Sequence, residues 1–440
     1  MYAYRVAAGL LLSCSVILAA GLPASPTFYK DVAPILNSHC VNCHRPGEVA
    51  PMSLTTYEQV RPWAAAIKEA VLTRKMPPWF ADAPAGHFSN DWRLSEEQID
   101  VIRRWTQAHA PAGDPNDAPP AEKFSEGWQN GRPDMVLRIP HEERIPGAGE
   151  DVWKFIMFDH EFQQDTWIRG LEIRPGNRKV VHHANIHVIT PVGDGPVDWS
   201  KVPEDMDAPR NKGSAVNGFH AVAIHVGLPG RFSFETQPGS AVMIPKGSRL
   251  RINIHYAPAR TPETDLTQLG LYFADGRLDK EWKDLHCKIR DFRIPARASA
   301  SEVRGTNKVT QPITVYQVGA HMHLRGKSYR IEALLPDGKN LELLNVPKWD
   351  FNWQLMYTLA RPVHLPAGTV ITYIATYDNS AANPLVLKYD TPDRDVFDGE
   401  RTIDEMMGGY VMHTVDSEHL SLDINRQTGA ARSNAATASR

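Results

Sequence analysis

The residues best suited to chemistry in this 440-residue chain are its histidines, 18 in all and several of them clustered. His321 and His323 close a run from Ile313 in which Thr314, Tyr316, Val318, Ala320, Met322 and Leu324 alternate with Val315, Gln317, Gly319 and the two histidines. A period of two predicts a half-buried strand, from which both imidazoles leave one face, close enough to hold one metal ion. Gly319, two residues earlier on that face, leaves space beside them. A second pair, His182 and His183, lies in a strand-like run from Lys179 to Thr190. Adjacent strand residues point to opposite faces, so one ion held by both requires a bulge or a strand end. Between Arg249 and Tyr256 the alternation is strict. Leu250, Ile252, Ile254 and Tyr256 are expected in the core, with Arg249, Arg251, Asn253 and His255 on the other face. His255 would complete a three-imidazole set. Imidazole admits zinc, copper, nickel or iron, and a thioether shifts the preference towards Cu(I). His187, His220, His225, His286 and His364 lack this spacing and read as structural or surface residues, although His187 shares parity with His183.

A third cluster is Cys40-Val41-Asn42-Cys43-His44. Two thiols at this spacing followed by a histidine form the attachment signature of c-type haem, with His44 as an iron ligand. The sixth ligand is expected to be a thioether or a second imidazole. Met76, placed after a helical run and before Pro77-Pro78, suits that role, with Met52 and His87 as competitors.

The elements that must position these groups change along the chain. Residues 27–112 read as a small all-α unit, with a short amphipathic segment from Phe28 to Leu36 and a helix from Tyr57 to about Arg74. A third helix is capped by Ser95 with Gln98, and buries Ile99, Ile102 and Trp105. Residues 113–125 are a linker stiffened by proline. Evenly spaced strand runs with turn residues between them then predict two β units, residues 126–290 and 291–425, with a disordered tail at 426–440. The apolar run from Val6 to Leu22 after Arg5 reads as an export signal within residues 1–24. It implies a periplasmic or secreted protein without stable membrane insertion after cleavage. Cys40, Cys43 and Cys287 are too few for a disulfide framework in an exported chain. A formal charge of −3 leaves no basic footprint for nucleic acid.

His182-His183, His255-Tyr256, His321-Met322-His323-Leu324 with Gly326-Lys327, and Asp404-Glu405-Met406 occur in order. Together they resemble the copper type II, ascorbate-dependent monooxygenases, over roughly Val152 to Thr414. The front unit resembles a class I cytochrome c domain. The resemblance implies a fold class of a small all-α cytochrome c domain followed by two antiparallel, jelly-roll-like β-sandwiches. It assigns one copper to His182, His183 and His255, and the oxygen-activating copper to His321, His323 and Met406, with Tyr410 retained beside the latter. It also implies dioxygen and a small organic molecule as substrates, and ascorbate or a periplasmic donor as reductant, relayed by the haem. Peptide-amidating members carry Arg where this chain has Gly319, and Asn where it has Gly408, so a peptide carboxylate is not expected as the substrate. The alternatives are a non-catalytic haem/copper electron-transfer or copper-binding protein, and a zinc-binding β protein with an unrelated haem module.

Overall fold

The computed structural model of the chain describes residues 25–46, 48, 50, 52–120, 127–149, 151–193, 195–203, 215–227, 232–257, 259–399 and 401–432. The export signal and the last eight residues of the expected tail lie outside them. From residue 426 to Arg432 the tail is placed against the body: the Gly429 carbonyl accepts from Trp167 N–H, and Arg432 N–H donates to the Asp423 carbonyl.

The expected fold class requires correction. The chain is mostly β, with 40% strand and 14% helix, and four main sheets form a four-blade, propeller-like arrangement in outline; no all-α cytochrome domain is present. Among the described residues at the front, the helical pieces are short: 28–39, 57–72, 96–107 and Pro115–Asp117. Pro62 sits where the expected second helix breaks, between Tyr57–Val60 and Ala64–Leu72, and the capping box of Ser95 and Gln98 starts the longest helix, Glu96–Gln107. The stretch between them is not part of a helical bundle. Trp79, Ala81 and Phe88 bury in the core of the last β unit, and residues 87–90 run along the strand Met356–Leu365. Ser89 N–H donates to the Thr358 carbonyl and Ala360 N–H to the His87 carbonyl, each at 2.8–2.9 Å. An edge strand with unpaired backbone groups is thereby covered by the front of the same chain.

The sheet that carries the first histidines has the order Val152–Glu161, Arg249–Tyr256, Val181–Pro191, Phe219–Gly227, all antiparallel. Arg249–Tyr256 is central and buried on both faces from Leu250 onward, so Arg251 and Asn253 are as enclosed as Ile252. The expected alternation of core and exposed positions therefore fails there. The second pair sits at the end of the strand Ile313–His321, which lies between Met407–Val415 and Met356–Leu365. Both its ladders shift register between Val315 and Gln317. A bulge adds one residue and reverses the parity that follows. Ile313 and Val315 thus share the core with Val318, Ala320 and Met322, which no single period-two reading allows.

Candidate metal centres

The ladder joining Val181–Pro191 to Arg249–Tyr256 shifts register between Val181 and His183, so His182 is the bulged residue. His183 stands directly opposite His255. The outcome is a convergence of three ring nitrogens: His183 Nδ1 lies 3.0 Å from His182 Nδ1 and 3.3 Å from His255 Nδ1. Ligands about 2.0–2.1 Å from one tetrahedral ion stand roughly 3.3 Å apart, which is this spacing. Burial lowers the pKa of His182 to about 4 and drives His183 well below its ordinary value. Near neutral pH, neutral imidazoles are therefore packed nitrogen to nitrogen, an arrangement that suits a shared cation.

The orientation of the set is fixed from behind. His255 Nε2–H donates to Asp151 Oδ2 at 3.0 Å, leaving Nδ1 for a ligand. Asp151 also accepts from Thr402 Oγ1 at 2.8 Å, and its carboxyl is held below the usual range by the His255 hydrogen bond. Trp153, the cross-strand neighbour of His255, stacks on it at 4.7 Å and 3°.

The second cluster uses the other ring nitrogen. His321 Nδ1–H donates to Gln354 Oε1 at 2.5 Å, and His323 Nδ1–H to the Asp404 carbonyl at 3.2 Å, so each presents Nε2. The two rings are 5.1 Å apart and nearly perpendicular. Burial lowers the pKa of His321 to about 4 and that of His323 well below its usual value. His321 pairs with Gly408, and Met406 lies two residues before Gly408, just ahead of the strand Met407–Val415. Met406 is buried but stays outside the large apolar cluster, in which Met407 is fully buried. Glu405 holds the turn together: its carboxylate accepts from the backbone N–H groups of His323 at 2.8 Å and Arg325 at 2.6 Å. The Arg325 guanidinium is wholly buried and reaches Asn379, Asp390 and the Ile403 carbonyl.

No family model matches the chain, and no curated protein matches it. Solved structures match only weakly. The major capsid protein P2 of bacteriophage PM2 shares 8% identity over 64% of this chain and 97% of that chain, at a TM-score of 0.22. PNGF-II matches at 8% identity, with 63% and 65% coverage and a TM-score of 0.27. Allantoicase matches at 12%, with 53% and 78% coverage and a TM-score of 0.16. Likenesses at this level carry no argument about this chain.

The two clusters meet across one ring. The Phe351 centroid is 5.8 Å from that of His182, at 27°, and 6.4 Å from that of His323, at 78°. Phe351 and Gln354 belong to a loop before the strand Met356–Leu365, and Gln354 Nε2–H donates to the Phe351 carbonyl at 3.3 Å. Sequence reading missed both residues, because neither a lone phenylalanine nor a lone glutamine carries a spacing signal. It also missed Asp151. Among residues singled out earlier, Tyr410 stacks on His286 at 4.8 Å and stands opposite Gly319. The space expected beside Gly319 is filled: a Cβ built there would lie 2.2 Å from Met356 Sδ.

The Cys-x-x-Cys-His loop follows the helix Ala33–His39. Burial pushes the Cys40 thiol up to about 12, and the Cys43 thiol also upward. His44 Nδ1–H donates to the Met52 carbonyl at 3.3 Å, leaving Nε2 for an iron ligand. Met76 is half-buried at the end of the following helical stretch and His87 is exposed. The loop is tied to the first histidine sheet by Glu48, which bridges to Arg178 at 3.2 Å, four residues before His182.

Proposed function

We propose that the chain is a copper-dependent monooxygenase that hydroxylates a C–H bond of a small organic molecule. The observation that carries this reading is the pair of imidazole clusters, one presenting three Nδ1 atoms and the other two Nε2 atoms, separated by Phe351, with Met406 two residues before Gly408, the cross-strand partner of His321. The donor sets fit copper: three imidazoles in one, two imidazoles with a soft thioether in the other. Copper at these sites would supply single electrons and activate dioxygen, and haem c held by Cys40, Cys43 and His44, with Met76 as the sixth-ligand candidate, would carry one electron at a time. The overall reaction consumes dioxygen, two electrons and two protons to give the alcohol and water.

The chain's own residues do the positioning. Asp151 and Gln354 orient His255 and His321 from behind, the usual means by which outer hydrogen bonds tune a metal site. Phe351 keeps the clusters apart as two mononuclear sites. Glu48 and Arg178 hold the cysteine loop against the sheet of the three-histidine set, which favours delivery of electrons there, with ascorbate or a periplasmic protein as the external donor. The export signal read from the sequence agrees with periplasmic haem attachment.

The test combines metal analysis, electron paramagnetic resonance and oxygen uptake on the full chain. Two coppers per chain, type 2 Cu(II) signals, a c-type haem spectrum and substrate-dependent oxygen uptake lost in Met406→Ala and His323→Ala are expected. Bound zinc without a Cu(II) signal would overturn the reading. Copper and haem that exchange electrons without consuming oxygen for any substrate would leave an electron-transfer protein.

A further inference from the structure

A cavity opens on the same sheet face as His321, and its floor can be read from the ladders. Gly319 lies between Met356 on one neighbouring strand and Tyr410 on the other, and Gln317 lies between Thr358 and Met412. Side chains at positions 317, 319 and 321 share a face, so this floor is continuous with the second histidine cluster. Met356, Met412, Tyr410 and Gln317 all line the cavity, and so does Gln354, whose Oε1 meets His321. The opposite wall comes from the first β unit and is mostly apolar, with Ala223, Ile224, Phe234 and Trp282 beside the imidazole of His225.

The third wall is the front of the chain. Asn90 and Trp92 line the cavity. Asn90 is clamped there, its Nδ2–H donating to the Met356 carbonyl and its Oδ1 accepting from Thr358 N–H, each at 2.8 Å. Trp92 is anchored by Nε1–H to the Pro78 carbonyl. The cysteine-bearing front segment thus builds a wall of this site as well as carrying the candidate haem loop. Among the described residues that line it, none is Lys or Arg, and Asp284 is the sole carboxylate.

We infer that this cavity binds the substrate of the proposed oxygenase, and that the substrate is a small, mostly apolar molecule without negative charge. The identification of the ligand as the oxygenase's substrate rests on the function proposed above. Met356, seated over Gly319, is the specificity-determining residue, because it fills the face next to His321 with a thioether where a polar or cationic group would be needed to receive an anion. In the metal-free chain, a carboxylate brought into this lining would lose its hydration, find no Lys or Arg and face Asp284.

The experiment uses the full chain, with cyclohexylmethanol and cyclohexanecarboxylate as size-matched probes in saturation-transfer NMR. The alcohol is expected to bind at least about tenfold more tightly than the carboxylate, the penalty for an unpaired buried charge. Asp284→Asn, which keeps a hydrogen-bond acceptor for Val411 N–H, should narrow that ratio. Met356→Trp should abolish binding of the alcohol, and Asn90→Ala should weaken it. Loading Cu(II) should enhance relaxation of the bound alcohol's protons, placing it beside the histidines. Equal binding of the two probes, or alcohol binding unchanged in both Met356→Trp and Asn90→Ala, would overturn the inference. The two proposals fail separately. Met356-dependent binding in a protein with no type 2 Cu(II) signal supports the site and removes the oxygenase. A copper-loaded, oxygen-consuming protein that ignores the alcohol does the reverse.

Discussion

Replacing Gln354 by alanine isolates one metal centre from the other. Gln354 is 2% exposed, and its Oε1 is the acceptor that keeps the proton of His321 on Nδ1, so that Nε2 faces outward. Without it, a buried N–H loses its partner at a cost of about 1–3 kcal/mol. The imidazole can also rotate or change tautomer, and the loss of such an outer partner typically weakens metal binding about 10- to 100-fold, or roughly 1.4–2.7 kcal/mol. The three-histidine set is oriented by Asp151 and Trp153 instead, and shares with Gln354 only the Phe351 ring and carbonyl, so its affinity should change several-fold less than that of the second cluster. The assay is competition for Cu(I) against a chromophoric chelator with the full chain. Parent protein should take up two equivalents, and the variant should split into one tight and one weak. Gln354→Glu, which keeps an acceptor, should restore the second equivalent. Two equivalents bound as tightly as in the parent, or equal weakening of both, would refute the assignment of Gln354 to His321.

Asp151→Ala should give the mirror image, weakening the three-histidine set about 10- to 100-fold and sparing the other, read in the same competition. Arg325→Met removes the buried donor from Asn379 Oδ1 and the Ile403 carbonyl while Asp390 keeps Arg394, and should destabilise the fold by about 1–3 kcal/mol, measured as a shift in the denaturant midpoint. Because burial lowers His182 and His321 from 6.5 to about 4, the folded apo chain binds fewer protons on them than the unfolded chain between those values. The contribution of these two histidines to stability should therefore be fully present above pH 6.5 and decline as pH falls towards 4. Buried Glu405, whose carboxyl is raised to about 8, opposes it, as seen by comparing thermal unfolding of the metal-free protein with that of Glu405→Gln. Copper retention on dialysis should hold through pH 6 and fail near pH 4, since only neutral imidazole binds metal.

Much of the candidate site was legible as spacing. Two histidines two apart, a histidine pair with a third histidine on an alternating strand, and Cys-x-x-Cys-His each state which side chains can meet within one element or across one ladder. The capping box before Glu96 is equally local, and the helix begins there. Local spacing failed where tertiary packing covered a second face or inserted a residue. The strand Arg249–Tyr256 is central, so Arg251 and Asn253 are buried against their pattern, and a bulge between Val315 and Gln317 reverses the parity that the sequence shows as unbroken. The all-α front unit failed for a related reason: the stretch after Met76 carries Trp79 and Phe88, which bury in a sheet some 270 residues away in the chain rather than among the front helices.

By itself, then, the sequence determined which donor groups exist and which of them are neighbours along the backbone, because strand and helix periods are properties of the local chain. Tertiary structure alone decided which ring nitrogen each histidine presents, because Asp151, Gln354 and the Asp404 carbonyl come from distant segments. It decided that Met407 lies in the large apolar cluster while Met406 stays outside it, because only the packing of the sheets distinguishes two adjacent methionines. It also decided that one phenyl ring separates the two clusters and that Met356 occupies the space above Gly319, contacts made by a loop and an edge strand whose composition carries no signal of either.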